Sequence, residues 1–183
     1  LLRTSILDRF CLGLVEAVCP ARDCAAALAT IEHSNLFLIA LDSSGQWFRY
    51  HHLFSEFLRN RLDAWEPKAR RDLHRSAASW LAARGHISDA VDHALASGDA
   101  DHAARLVEEC AMPLTMQGHI PRLTEWLNQL PPELIAARPR LLLARVWAQF
   151  HMSRPRQAVR ILKQAKTLVG QLSTRAGAMV DCA

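Results

Sequence analysis

The sequence has no apolar stretch near the roughly 18 to 20 residues that a membrane-spanning helix requires, because charged side chains interrupt its apolar positions every few residues. Its first 18 residues also carry Arg3, Asp8, Arg9 and Glu16, which disfavours a signal peptide. The first residue is Leu1 rather than methionine. We therefore expect an internal segment of a longer cytoplasmic protein that makes no contact with a membrane.

Motifs for nucleotide and nucleophile chemistry are also missing. The sequence contains no G-x-x-x-x-G-K-[ST] phosphate loop, no G-x-G-x-x-G turn and no G-x-S-x-G elbow. Nine histidines are present, and Asp89 lies one helical turn from His93, but no third ligand with suitable spacing accompanies them. We predict that this chain is not an enzyme and holds no catalytic residue, no metal site and no cofactor of its own.

Cysteines are few and odd in number. None of the five forms a C-x-x-C pair, and most fall within helix-like patterns. A disulfide framework is therefore not expected, and a reducing cytosol fits this usage best.

Acidic side chains are almost absent from the last quarter of the chain. Residues 138–183 carry nine basic side chains and one acidic one, whereas residues 1–137 carry 13 basic and 17 acidic ones. We interpret this basic segment as a solvated arginine-rich face on amphipathic helices. An acidic partner surface or nucleic acid is the alternative.

Strand-forming sequence is confined to one place. The β-prone runs Leu36–Leu41 and Trp47–Tyr50 flank the turn-forming cluster Asp42–Gln46, which predicts a single hairpin. Before the hairpin, apolar spacings of three and four predict a helix over Thr4–Val18 and another over Asp23–His33. This order, together with the helix that follows the hairpin, resembles a winged-helix unit whose wing is the hairpin.

The helix after the hairpin is predicted from Leu53 to Leu62 and ends near Pro67, which disfavours further helix. From Lys68 onward the periodicity is helical throughout. We predict breaks at Gly85, Gly98, Gly118, Pro131-Pro132, Pro139 and Ser153 to Pro155.

A repeated shape accompanies these breaks. Gly85 to Ala90 and Gly98 to Ala103 share the pattern G-x-x-x-x-A, in which the glycine ends one helix and the alanine begins the packing of the next. The breaks at Gly85, Gly118 and Ser153 are spaced close to the 34-residue period of tetratricopeptide repeats. We predict a mainly α fold with a winged-helix-like domain over 1–66, degenerate tetratricopeptide-like hairpins over 67–171 and a frayed tail over 172–183.

The junction between hairpin and helix carries the most distinctive string, Trp47-Phe48-Arg49-Tyr50-His51-His52-Leu53-Phe54. It resembles the signature that closes the winged helix in large ATP-dependent regulators of the LuxR type, the MalT-like group of STAND signalling ATPases. The resemblance covers about residues 1–170. It implies an upstream nucleotide-binding module, helical sensor repeats that receive a small-molecule inducer or a regulatory protein, and DNA binding only through a C-terminal domain outside this chain.

The resemblance also assigns a candidate nucleotide contact. Related STAND ATPases place the histidine of a Met-His-Asp-Leu motif near the ADP phosphates, and Tyr50-His51-His52-Leu53 aligns with that motif. His51 is then the candidate ADP phosphate sensor in the ATP- or ADP-bound parent protein, whereas His52 stands in place of an aspartate and is a subsidiary candidate. The structural alternative is that both histidines only cap the helix and pack under the wing.

Two other functions compete with a regulatory segment. The repeats alone fit a helical adaptor for proteins or peptides with no nucleotide or DNA role. A DNA-reading winged helix needs exposed basic or amide side chains on the helix before the hairpin, yet Asp23–Glu32 is alanine-rich with acidic ends. Direct base reading is therefore disfavoured.

Overall fold

The computed structural model describes residues 1–20, 30, 37–43, 45–152, 159, 161 and 163. The chain divides into two compact units, Leu1–Gly98 and Asp99–Ala183. The domain limits predicted from the sequence stay predictions, and the predicted tail lies outside the described residues. Within those residues no helix is both long enough and apolar enough to cross a membrane.

The N-terminal segment departs from the single helix predicted over Thr4–Val18, and that prediction is wrong. A 3-10 helix spans Arg3–Ile6, and helix α1 begins only at Leu12 and ends at Val18. Between them Phe10 forms an isolated β-bridge in which its N–H donates to the carbonyl of Phe48 and its carbonyl accepts from the Phe48 N–H, both at 2.8 Å. A residue paired in this way must be extended, so the helix is interrupted even though the apolar spacing continues through it.

The predicted hairpin is confirmed. Strands β1, Leu38–Ala40, and β2, Phe48–Tyr50, pair antiparallel. The turn is held by Asp42, whose carboxylate accepts hydrogen bonds from the backbone N–H groups of Gln46 at 2.8 Å and Trp47 at 3.2 Å. The side chain of a turn-forming residue therefore fixes the register of the wing.

Helix α2, His52–Trp65, follows the hairpin directly and confirms the third helical pattern. It buries Leu58 and Leu62, which lie four residues apart on one face. The helix ends at Trp65, where Glu66 leaves the helical conformation ahead of Pro67. The helix predicted over Asp23–His33 lies outside the described residues except for Thr30.

Only helices follow in the described residues, as predicted. They are α3, Ala69–Ala83; α4, Ile87–Ala96; α5, Ala100–Met116; α6, Ile120–Gln129; α7, Pro132–Ala137; and α8, Pro139–His151. Helices α3 and α4 pair within the first unit, and α5, α6 and α8 pack together in the second. The mainly α fold with one hairpin before helical hairpins is thus confirmed.

The glycines of the repeated pattern lie where one helix ends and the next begins, as predicted. Gly85, Gly98 and Gly118 have φ values of 79°, 75° and 78°, a left-handed conformation that glycine adopts without steric cost. Ala90 and Ala103, which close the two G-x-x-x-x-A patterns, are completely buried. The break predicted at Ser153 to Pro155 lies outside the described residues.

The cysteines only partly follow expectation. Cys11 and Cys110 are free, but Cys19 is disulfide-bonded, so the sequence argument against disulfides is wrong for this residue. The number of cysteines and their spacing in the sequence do not indicate which of them the fold brings together.

Candidate functional site

The junction between the wing and α2 places the two predicted histidines on the surface. Strand β2 ends at Tyr50, and His51 has extended backbone angles (φ −57°, ψ 137°) before the helix begins at His52. The His51 N–H donates to the Phe37 carbonyl at 2.7 Å, which ties the start of α2 to the segment before β1. Both imidazoles are exposed, with ring centroids 4.4 Å apart.

The histidines do not cap the helix with their side chains. His51 is the N-cap residue of α2, yet its imidazole makes no capping hydrogen bond, and no acidic side chain lies in the first turn. The N-terminus of a helix carries unsatisfied N–H groups and the positive end of the helix dipole, which favour an anion. The junction therefore presents two imidazoles beside an uncapped helix end, an arrangement suited to phosphate.

The buried side chain of Tyr50 holds this junction in place. Its hydroxyl lies 2.7 Å from Thr4 Oγ1, and because Thr4 Oγ1 donates to the Leu1 carbonyl at 2.8 Å, the tyrosine donates to the threonine. The ring packs on Phe10 at 4.7 Å and on Phe54 at 5.6 Å between centroids. Burial raises the pKa of Tyr50 to about 12, against the smaller lowering effect of the Thr4 hydrogen bond. Tyr50 is thus a buried anchor, and the histidine beside it is exposed.

An apolar groove of about 570 Å³ opens next to His51. Phe37 forms one wall, with its ring stacked on Phe54 at 4.6 Å between centroids. Phe37 also has φ 68°, a left-handed conformation that costs a bulky residue free energy and is found mostly where the surroundings enforce it. The groove is lined by Phe37, Leu38, Ile39, His51, Leu53, Phe54 and Phe57. Among the described residues of that lining, His51 is the one with an ionisable side chain.

A second histidine pair was not predicted. His74 on α3 and His93 on α4 face each other with their Nδ1 atoms 2.8 Å apart, and His74 is 7% exposed. One imidazole must donate and the other accept, so the pair is compatible with one N–H between them but not with two. Asp89, which the sequence placed beside His93, instead binds Arg9 at 2.6 Å. Among the described residues no three potential ligands are grouped to hold a metal ion.

A protein-family model described as the MalT winged helix domain matches residues 1–70. Residues 1–70 are thus similar to the MalT winged helix domain. The match runs through the wing and α2 and includes the whole His51 junction, so the resemblance seen in the sequence is confirmed.

Full-length relatives extend the similarity beyond the winged helix. The serine/threonine-protein kinase PknK of Mycobacterium tuberculosis is 36% identical over 171 residues, which are 93% of this chain and 15% of the kinase. The HTH-type transcriptional regulator MalT is 32% identical over 167 residues in Vibrio parahaemolyticus and 36% identical over 168 residues in Cronobacter sakazakii; each alignment covers 91% of this chain and 18% of the regulator. The chain thus spans less than a fifth of the length of these relatives.

The His74–His93 pair gives the first unit, Leu1–Gly98, a dependence on pH. Burial, the charge of His93 and the charges of Arg70 and Arg59 lower the pKa of His74 to about 4, whereas burial lowers the pKa of His93 despite the opposing charges of nearby aspartates. The charged groups that act on the pair are Asp8, Arg59, Arg70, Asp89 and Asp92. The unfolded chain therefore binds more protons than the folded one between the ordinary pKa of 6.5 and about 4.

Stability is accordingly expected to fall as the pH is lowered through this window. Allowing for solvent screening, the loss between pH 7 and pH 5 is about 1–2 kcal/mol in the free energy of unfolding. Urea unfolding at the two pH values measures it. His74→Leu is the control and should lose most of the dependence. Equal stabilities of the unmodified chain at pH 7 and pH 5 would show that the pair is not held neutral by the fold.

Two other hypotheses from the sequence concern a DNA-reading helix and the basic C-terminal segment. The segment considered for DNA reading, Asp23–Glu32, lies outside the described residues except for Thr30. At the start of the basic segment, Arg138 binds Asp101 at 2.9 Å and Glu108 at 3.4 Å, so this cation stabilises the second unit internally.

Proposed function

We propose that this chain is the hinge and sensor segment of a cytoplasmic MalT-type regulator, coupling an upstream nucleotide-binding module to helical repeats that bind an effector. The proposal depends on the His51 junction, where exposed imidazoles adjoin an uncapped helix N-terminus within a region similar to the MalT winged helix domain. An ADP phosphate carried by the upstream module contacts His51, with His52 as a second donor. The nucleotide belongs to the parent protein.

The mechanism is a shift between two populations. In the resting state the phosphate contact holds the winged helix against the nucleotide-binding module. A small-molecule inducer or regulatory protein that binds the repeats more tightly in the open state shifts the equilibrium away from this contact. Exchange of ADP for ATP then follows.

The output of the parent protein has two candidates. Similarity to the HTH-type transcriptional regulators MalT supports regulation of transcription. In this case the proposal places a DNA-binding domain C-terminal to the segment. Similarity of the same extent to PknK supports control of a protein kinase instead. Both make this chain a regulatory segment that performs no chemistry, in contrast to an adaptor without any nucleotide role.

The nucleotide contact is tested in the full-length parent protein by ADP release. Loss of a hydrogen bond to a charged group costs about 1.5–3 kcal/mol, so His51→Ala should speed ADP dissociation by about tenfold or more. Dissociation is followed by chasing a fluorescent ADP analogue with unlabelled nucleotide.

His119→Ala is the matched control for this experiment. His119 is also an exposed N-cap residue without a side-chain cap, but it precedes α6 in the second unit. It should leave ADP release unchanged. ADP release from His51→Ala at the parent rate would remove His51 from the nucleotide site and leave the adaptor hypothesis ahead.

A further inference from the structure

Helices α5 and α8 of the second unit pack against each other and form a groove, here called the α5–α8 groove. Its larger lining side chains share one face of each helix: Glu108, Met112 and Thr115 on α5, and Arg140, Leu143 and Trp147 on α8. The groove has a volume of about 310 Å³. Small-molecule sites occupy about 300–1,000 Å³, so this groove is of a size for one small organic molecule.

The apolar part of the lining is open to water. Met112 is 61% exposed, Leu143 51% and Trp147 48%. An apolar group placed on these side chains releases the water beside them, which is the main favourable contribution to apolar binding. The flat indole of Trp147 suits a planar ring, and the flexible thioether of Met112 adapts to its shape. The groove therefore offers a surface for the apolar body of a ligand.

Two ionisable side chains, Glu108 and Arg140, belong to the described lining of the groove. Glu108 is already paired, because a guanidinium nitrogen of Arg138 lies 3.4 Å from its carboxylate. Arg140 is exposed and makes no hydrogen bond or ion pair within the described residues. A planar guanidinium can hold a carboxylate through two parallel hydrogen bonds. The groove thus presents one cation without a partner beside apolar side chains.

We propose that the α5–α8 groove binds a small organic acid. The carboxylate of the acid pairs with Arg140, and its apolar body, an aromatic or branched aliphatic group, lies against Leu143 and Trp147. This arrangement is that of most small-molecule sites, in which apolar side chains surround a few polar groups that fix the orientation of the ligand.

The charges of the groove distinguish this ligand from other anions. A carboxylate carries one negative charge, whereas a phosphate group carries about two and is repelled more strongly by Glu108 in the same groove. Nucleic acid requires a row of cations along its phosphates, which one arginine among apolar side chains does not supply. If the acid is also the inducer that the repeats receive, that role rests on the proposed function, whereas the binding itself does not.

The test is equilibrium dialysis of the full-length parent protein against phenylbutyrate, with phenylbutanol as the uncharged analogue. Both probes carry the same ring and chain, so their difference in affinity isolates the carboxylate. The charge-assisted pair with Arg140 is expected to make the acid bind about tenfold more tightly than the alcohol. Arg140→Gln should remove this difference and leave the affinity for the alcohol unchanged.

Arg145→Gln is the matched control, because it removes the same charge from α8 at a position outside the groove lining. It should leave the affinity for both probes unchanged. Trp147→Ala should weaken both, since both place their ring on the indole. Leu143→Ser is the second apolar variant if Trp147→Ala loses the amide exchange protection of α8.

Absence of saturable phenylbutyrate binding, or equal affinities for the acid and the alcohol, would overturn the proposal. Equal losses of affinity in Arg140→Gln and Arg145→Gln would do the same. Dialysis measures occupancy of the groove and not nucleotide release, so this outcome is separate from that of His51→Ala. Phenylbutyrate binding together with unchanged ADP release in His51→Ala retains the groove and rejects the phosphate contact; the reverse pair of results retains the phosphate contact and rejects the groove.

Discussion

Replacing Phe10 by alanine is expected to lower the free energy of unfolding of the first unit by about 3–5 kcal/mol. Phe10 is completely buried, and its ring lies 6.4 Å from Phe48 and 4.7 Å from Tyr50 between centroids. The substitution leaves a cavity where the N-terminal segment meets the wing. Equilibrium urea unfolding measures the change, with amide hydrogen exchange in β2 reporting on this unit.

Phe57→Ala is the matched control, because it removes the same atoms from a ring that is 52% exposed. Its expected effect on the same free energy is within about 0.5 kcal/mol. If Phe10→Ala destabilised the first unit no more than Phe57→Ala does, the packing of the N-terminal segment against the wing would be contradicted.

Trp126→Ala is expected to destabilise the second unit by a similar amount, about 3–5 kcal/mol. Trp126 on α6 is 1% exposed. Leu123 and Leu127 of the same helix are also buried. Arg122 lies over its ring at 5.2 Å from the centroid. Urea unfolding is again the measurement, with amide exchange in α6 reporting on the unit.

The control for this second substitution is Trp147→Ala on α8. Trp147 is 48% exposed in the same unit. Its replacement should therefore lower the free energy of unfolding much less than replacement of Trp126 does. Equal losses at the two positions would contradict the assignment of Trp126 to the core of the helical repeats.

Much of the fold could be predicted because its signals are local. The hairpin follows from two β-prone runs around a turn-forming cluster, and the turn is held by Asp42, a residue within that cluster. The breaks at Gly85, Gly98 and Gly118 follow from the ease with which glycine adopts positive φ. These features require no knowledge of distant contacts.

Features that depend on distant pairing were missed. Phe10 keeps the apolar spacing of a helix, but its backbone pairs with Phe48, 38 residues away, and the pairing overrides the local preference. The His74–His93 contact similarly requires α3 and α4 to be packed side by side. The sequence shows only that each histidine adjoins an apolar residue, Leu73 for one and Ala94 for the other, which does not distinguish a buried pair from two exposed histidines.

The candidate site was predicted in part. The resemblance identified His51 and His52, and the structure places both on the surface at the start of α2. The exposure of Leu53 and Phe57 was not anticipated, since both were interpreted only as positions of an amphipathic pattern. Hydrophobic spacing indicates a helix but does not say which of its apolar residues the chain itself covers.

The contact between the start of α2 and the nucleotide is tested most directly by amide hydrogen exchange in the full-length parent protein. The N–H groups of His52, Leu53 and Phe54 lie in the first turn, where a helix leaves them without an intrahelical acceptor. With ADP bound, their exchange is expected to be slower than with ATP or without nucleotide, and His51→Ala should abolish the difference. Identical exchange in all three states would contradict the proposal that this junction senses the nucleotide.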